Sequence, residues 1–313
     1  MKKYFLPLFG VLMSFYLSAQ SLSILDSAAA EALLIGGVTT NILDKDDLEV
    51  SLNNSFTTFW FVINEFNDEF FQRITDRRRI TSFNQTMRVS YGFSPSRRFD
   101  LGLEVRYNHY RDDDAARSTP LRVFQNNHPE NGTSYRGLAN AGLRLRYRPL
   151  DSDPAWIIQA AFAVPVSNTA GLERSLLNAD VNQAELTSTY YRLLGNNTYY
   201  FLQGSVIGQF SPQRRNLIGG PSFYLIKSVW NNVIFVYPGL SYSIASQTQS
   251  NGGFQSTSHY VFGGLGMQYQ PVRSFNIGLT YQYPLLIENG SIFAGIERSS
   301  FSNASLSLRW MMR

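Results

Sequence analysis

YVFGGLGMQYQPVRSFNIGLTYQYP, residues 260–284, decides the fold. Its second half sets Phe275, Ile277, Leu279, Tyr281 and Tyr283 against Asn276, Gly278, Thr280 and Gln282. A period of two puts apolar side chains on one face of an extended strand and polar or bare positions on the other. The first half alternates less cleanly, with Val261, Leu265, Met267 and Tyr269 against Gly264, Gly266, Gln268 and Gln270. Only Val272 and Arg273 stand between Pro271 and the next alternating run, so the turn is tight. Each strand runs about a dozen residues. That is long against the roughly 5–6 of soluble sheets and enough to cross a bilayer when tilted.

The same unit recurs from Leu48 onward. Alternation marks about twelve strands, near 48–62, 80–93, 98–111, 136–149, 154–166, 184–194, 198–210, 215–228, 232–246, 256–270, 273–286 and 299–312. Long connections (63–79, 112–135, 167–183, 247–255, 287–298) alternate with short ones at Ser94–Arg97, Asp151–Asp153, Gly195–Asn197, Val229–Asn231 and Val272. Ser211–Arg214 is short where a long one is due. This asymmetry predicts an all-β chain forming a single antiparallel up-and-down transmembrane β-barrel. It would have short periplasmic turns, longer extracellular loops and, with an even strand count, both termini in the periplasm. Aromatic residues cluster beside the short turns: Phe93, Phe99, Tyr147, Trp156, Tyr199, Tyr200, Trp230, Tyr269 and Phe275, with Trp310 near the chain end. They form a candidate girdle at one membrane interface, and Tyr107, Tyr242 and Tyr283 form a looser set toward the other rim. A secreted soluble β-sandwich would need these faces reversed, and the strand length and turn asymmetry speak against it.

The N-terminus sets the compartment. Lys2 and Lys3 precede an apolar run from Tyr4 to Leu17, and small residues follow at Ser18-Ala19 before Gln20. Residues 1–19 therefore read as a secretory signal peptide, 20–47 as a periplasmic or lumen arm, and 48–313 as the barrel. Within the arm, Asp26 caps a candidate Ala-rich helix through Leu34 that Gly36-Gly37 would end. The chain has no cysteine, which excludes a disulfide framework and an N-terminal lipidated cysteine. Only 16% of residues are charged, against 18 tyrosines and 23 phenylalanines, as suits a protein with one face in lipid. Arginine is scattered and the net charge is only +4, so no nucleic-acid surface is expected.

The opening strand DLEVSLNNSF (47–56), the hairpin YGFSPSRRFDLGLEVRY (91–107) and the Ser-Ala-Gln cleavage site together resemble bacterial outer-membrane β-barrels. They resemble in particular the porin-like and transporter-like barrels of Bacteroidetes. The resemblance covers nearly all of the mature chain. It implies residence in the outer membrane, contact with lipid and lipopolysaccharide, and delivery by the barrel-assembly machinery. One departure is the ending Trp310-Met311-Met312-Arg313, where such barrels usually close on an aromatic residue.

If apolar positions face lipid, the opposite set names the lumen. Arg144, Arg146 and Arg148 point inward on one strand, Asp100, Glu104 and Arg106 on another, with Arg88, Arg309 and Glu49 on their neighbours. The far wall is milder, with Gln159, Gln203, Ser205, Gln209, Ser241 and Ser243. Two readings of the arginine wall stand side by side. In one it selects small polar, anionic solutes passing through a porin or narrow transporter, as rings of Arg do in anion pores. In the other, Arg–carboxylate pairs brace a closed structural barrel that serves as a subunit of an outer-membrane complex. Strand number alone does not choose between them.

Enzyme signatures are thin, and no catalytic residue, metal or cofactor is expected. The three histidines, His109, His128 and His259, are scattered. Ser258 and His259 are successive strand residues that point to opposite faces, so they form no dyad. Asp112–Asp114 lack the spacing of a calcium loop. The pairs Gly219-Gly220 and Gly263-Gly264 read as close packing within strands rather than phosphate cradles.

Overall fold

The computed structural model describes residues 34–35, 38–39, 42–67, 72–113, 119–125, 132–150, 155–167, 171–211, 215–230, 233–248, 254–289 and 296–312. Twelve antiparallel strands close into one barrel, each paired with its neighbours in sequence. They are β1 (Leu48–Asn67), β2 (Gln72–Gly92), β3 (Phe99–Asp113), β4 (Thr133–Tyr147), β5 (Trp156–Pro165) and β6 (Asn182–Gly195), then β7 (Thr198–Phe210), β8 (Arg215–Val229), β9 (Ile234–Thr248), β10 (Phe254–Val272), β11 (Phe275–Asn289) and β12 (Ile296–Met312). Closure brings β12 against β1, in register from Met312↔Leu48 to Ile296↔Ile63.

The alternation read from the sequence sorts the side chains. Leu103, Leu143, Phe162, Leu186, Leu265 and Leu285 stand exposed on the outer face. An apolar surface of that extent encircling a barrel suits lipid rather than water. At the short-turn end the hairpins are tight. Asn196 and Asn197 both adopt left-handed backbone (φ 49° and 56°), the mirror-image turn whose twist matches the flanking strands.

The long-loop end departs from expectation at three places. Residues 63–67 and 72–79 are strand rather than loop: β1 and β2 stay paired through Ile63↔Asp76 and Asn67↔Gln72. Glu65 and Arg77–Arg79 therefore stand on two facing strands. Charge does not end a ladder that has left the bilayer, because both faces are then wet. In the 112–135 connection, a 3-10 turn at Pro120–Phe124 is capped by Thr119, whose Oγ1 accepts from Leu121 N at 3.3 Å. This turn lies on the outer wall, with the Phe124 ring 4.8 Å from Phe83 and 5.8 Å from Phe56, and Val123 fully buried. In the 167–183 connection, helix α1 (Gly171–Leu176) is followed by a run that turns inward. Asn108 Nδ2 donates to Leu177 O at 2.6 Å and Asn140 Nδ2 to Val181 O at 3.0 Å. Leu177 and Ala179 pack on Tyr110, Tyr135 and Ala139 of the inner wall.

The arm ends differently from the expected helix. Leu34–Ile35 pairs with Val38–Thr39 in a short antiparallel ladder, and their β-branched Ile, Val and Thr favour extended backbone. Residues 1–33, with the signal segment and the start of that helix, lie outside the described residues. Nearer the barrel, Asp46 N donates to Gly92 O (2.8 Å) and Gly92 N to Asp47 O (2.9 Å). These bonds tie the arm to the short-turn rim.

Candidate functional site in the lumen

Strands β12, β1, β2, β3 and β4 are consecutive around the barrel, so the charged positions face one another across a single wall. They are paired. Glu49 Oε2 lies 2.9 Å from Arg309 Nε and 3.6 Å from Arg146 Nη2, and its Oε1 lies 3.7 Å from Arg144 Nη2. Arg146 Nε also donates to Asp100 Oδ1 at 2.7 Å, and Arg144 Nη2 to Ser90 Oγ at 2.7 Å. A second group sits toward the loop end. Glu104 receives Arg88 Nε at 3.2 Å and Arg106 Nη2 at 2.6 Å. Arg106 also reaches Glu185 at 3.7 Å and bonds Gln183 across the lumen. In these two groups, five guanidiniums meet four carboxylates. Arg146 and Glu49 are 0% and 1% exposed, and ions this deep persist only when paired. Arg148 lies past the end of β4, where its backbone N–H donates to Arg98 O at the rim.

The other side of the short-turn half is apolar. Inward Tyr191, Tyr199, Phe201, Ile226, Phe235 and Tyr237 form one buried cluster. Tyr199, placed by its position beside a turn in the girdle, therefore belongs to this core. Parity overrides proximity, because Tyr199 shares a face with Phe201, Gln203 and Ser205. Ile42 and Leu43 of the arm are fully buried as well, Leu43 on the charged side, where its N donates to Asp100 Oδ2 at 3.1 Å. Ionic cluster, aromatic cluster and arm together make a solid floor.

Beyond that floor, at mid-depth, lies a cavity of about 380 Å³. Its wall runs from β7 through β12 to β1 and includes Asn53, Ser55, Gln203, Ser205, Ser222, Ser241, Ser243, Gln282, Asn303 and Ser305. Among the described residues that line it, none carries an ionised side chain. Two tyrosines form its base. The Tyr237 ring lies flat on Gly266, where an added Cβ would sit 1.8 Å from the ring. Tyr224 lies on Gly239 in the same way, at 2.2 Å. Those two glycines let aromatic rings hug the wall and keep the space open.

The remaining girdle residues face outward. Trp230 (70% exposed) and Trp310 (59%) are the most prominent, Phe93 and Tyr269 are exposed, and Trp156 and Phe275 are half-buried. Phe93, Phe99 and Tyr147 stack in sequence with centroids 6.3 and 4.8 Å apart. His259 also stands on the outer face, its Nδ1 2.7 Å from the Tyr242 hydroxyl. His109 lies under Phe124 on the outer wall, and His128 is outside the described residues. Sequence reasoning missed Glu185, Tyr224, Tyr237 and Leu43. Parity alone could have found Tyr237, which sits in phase with the inward Ser241 and Ser243.

No family model matches the chain, and no curated protein is similar to it in sequence. Among solved structures it is similar to an outer-membrane channel from Pseudomonas putida F1, with a TM-score of 0.52 at 14% identity. That likeness covers 87% of this chain and 98% of the channel. The fold is that of an outer-membrane β-barrel. Weaker likenesses join the barrel to the β domain of the Bordetella autotransporter BrkA (TM-score 0.47, 13% identity, 83% of this chain and 99% of that one) and to the translocator domain of NalP from Neisseria meningitidis (0.46, 9%, 87% and 90%). At these identities the likeness speaks for the fold alone.

Proposed function

We propose that the chain is a narrow outer-membrane channel for small polar solutes, with its short-turn rim and both termini in the periplasm and its floor closed in the state described. One observation carries the reading: the charge and the open space are on different parts of the lumen. Arg88, Arg106, Arg144, Arg146 and Arg309 are paired with Glu49, Asp100, Glu104 and Glu185 in the floor and wall, whereas the cavity presents hydroxyls and amides. A guanidinium that spends its field on a carboxylate at 2.7–2.9 Å has little left for a passing anion. The arginine wall therefore acts as a brace and a closure, and solute preference belongs to the uncharged wall.

Planar-bilayer recording of the refolded mature protein tests this. The expected result is sparse, low-conductance openings with a reversal potential close to zero in a salt gradient. Steady conductance with strong anion preference would overturn the assignment of the arginines. A second reading, a closed structural barrel, is favoured by the solid floor itself. It would be supported by silence at all voltages together with a stoichiometric partner that co-purifies.

A further inference from the structure

We infer that the mid-depth cavity is a binding site for an uncharged, polyhydroxylated solute of about the size of a mono- or disaccharide. The inference rests on the channel reading only for how the solute arrives; binding itself needs no open floor.

Three features converge. The first is size: about 380 Å³ falls within the ~300–1,000 Å³ of small-molecule sites. The second is the chemistry of the wall. Serine and threonine hydroxyls and the amides of Asn and Gln donate and accept equally, as the hydroxyls of a sugar do. An ionised ligand would have to shed water with no opposite charge among the described lining residues. The third is unmet hydrogen-bonding capacity on residues that line the space. The Tyr237 hydroxyl has no hydrogen-bond partner although the residue is 1% exposed, and the Oδ1 atoms of Asn53 and Asn303 are likewise buried without donors. Two acceptors and one hydroxyl on different strands fix both position and orientation of a ligand rich in O–H donors. The Tyr224 and Tyr237 rings, 6.2 Å apart and nearly perpendicular, add an apolar base against which the C–H face of a sugar ring packs. A buried orphan hydroxyl costs stability unless something satisfies it. A hydroxyl of a bound solute would supply the missing partner at the base of the cavity.

The test uses the full mature barrel folded in a detergent without a sugar headgroup, such as dodecyldimethylamine oxide. Maltose and glucose are titrated by saturation-transfer NMR and calorimetry beside gluconate, an anion of hexose size. Saturable binding of a neutral sugar, with gluconate at least tenfold weaker, is expected. Tyr237→Phe deletes only the orphan hydroxyl. It should leave the fold intact and its denaturation midpoint unchanged or higher, while weakening sugar binding about fivefold. Asn303→Ala should weaken it similarly and serves as the second variant should the first fold poorly. Gluconate binding as well as the sugars, no saturable sugar binding, or Tyr237→Phe and Asn303→Ala both matching the wild-type affinity would overturn the inference. Binding with electrical silence would leave the site standing and remove the channel. Conductance without saturable binding would do the reverse.

Discussion

Glu49 holds three guanidiniums, so Glu49→Gln is the sharpest probe of whether the arginine wall braces or selects. Arg309 approaches it at 2.9 Å, Arg146 at 3.6 Å and Arg144 at 3.7 Å, all in a site closed to water. At an effective dielectric of about 20, each contact is worth on the order of 4–6 kcal/mol before desolvation, which offsets most of it. Glutamine keeps the shape and one acceptor but removes the charge. Arg146 retains Asp100, whereas Arg309 and Arg144 lose the carboxylate they share. Breaking a buried ion pair by removing one partner costs about 3–5 kcal/mol. With an m-value on the order of 5 kcal/mol/M in guanidinium chloride for a barrel of this size, the unfolding midpoint should fall by roughly 0.6–1 M. Heat-modifiability on gels and intrinsic fluorescence both report that midpoint. An unchanged midpoint together with a changed anion-to-cation permeability would refute the bracing argument and return the arginines to selectivity.

Deleting residues 20–44 removes Ile42 and Leu43 from the floor and should make channel openings more frequent while the barrel stays heat-modifiable. Traces indistinguishable from wild type would show that strand side chains alone close it. Gly266→Val drives a branched side chain into the Tyr237 ring. It should cost about 1–3 kcal/mol by overpacking and shrink the cavity, read as slower sugar uptake in liposome swelling. Equal swelling rates would place the solute path elsewhere. Single-tryptophan variants keeping only Trp230 or Trp310 should be quenched most by lipids brominated near the headgroup, since both rings sit exposed at the short-turn rim. Strongest quenching from mid-chain bromines would move that rim into the bilayer.

Most of the barrel was legible because period two survives in nearly every strand and tight turns announce themselves in short polar connections. The nine charged lumen positions followed from the same parity, from Glu49 to Arg309, and eight of them lie buried or largely buried on the inner wall, Arg148 being at the rim. What they do there was not legible. Whether Arg146 faces a solute or Asp100 depends on how strands from distant parts of the chain line up, and composition does not carry register. The loops were misread for a related reason. Charged and polar residues mark solvent but do not say whether a wet segment extends a ladder, as at 63–67 and 72–79, or folds back onto a wall, as Val123 and Leu177 do. The cavity is half visible in the sequence: Gln203, Ser205, Ser241 and Ser243 of its lining belong to the milder wall. Its tyrosine base was hidden because Tyr224 and Tyr237 look like ordinary strand aromatics until Gly239 and Gly266 are seen beneath them.

The Arg309–Glu49 pair spans the seam between the last strand and the first, joining residues 260 positions apart. Contacts of such separation form late, because the loop-closure entropy comes before any reward. Until β12 meets β1, Arg309 has no Glu49, and Glu49 is missing one of its three cations. The half-built sheet therefore leaves Arg309 without its carboxylate on one open edge and Glu49 one cation short on the other. That charge opposes burial and discourages two unfinished chains from pairing edge to edge. Closure in the correct register removes the penalty on both edges at once. The same ion pair that spans the seam of the finished barrel thus rewards closure in the one register that brings Arg309 to Glu49.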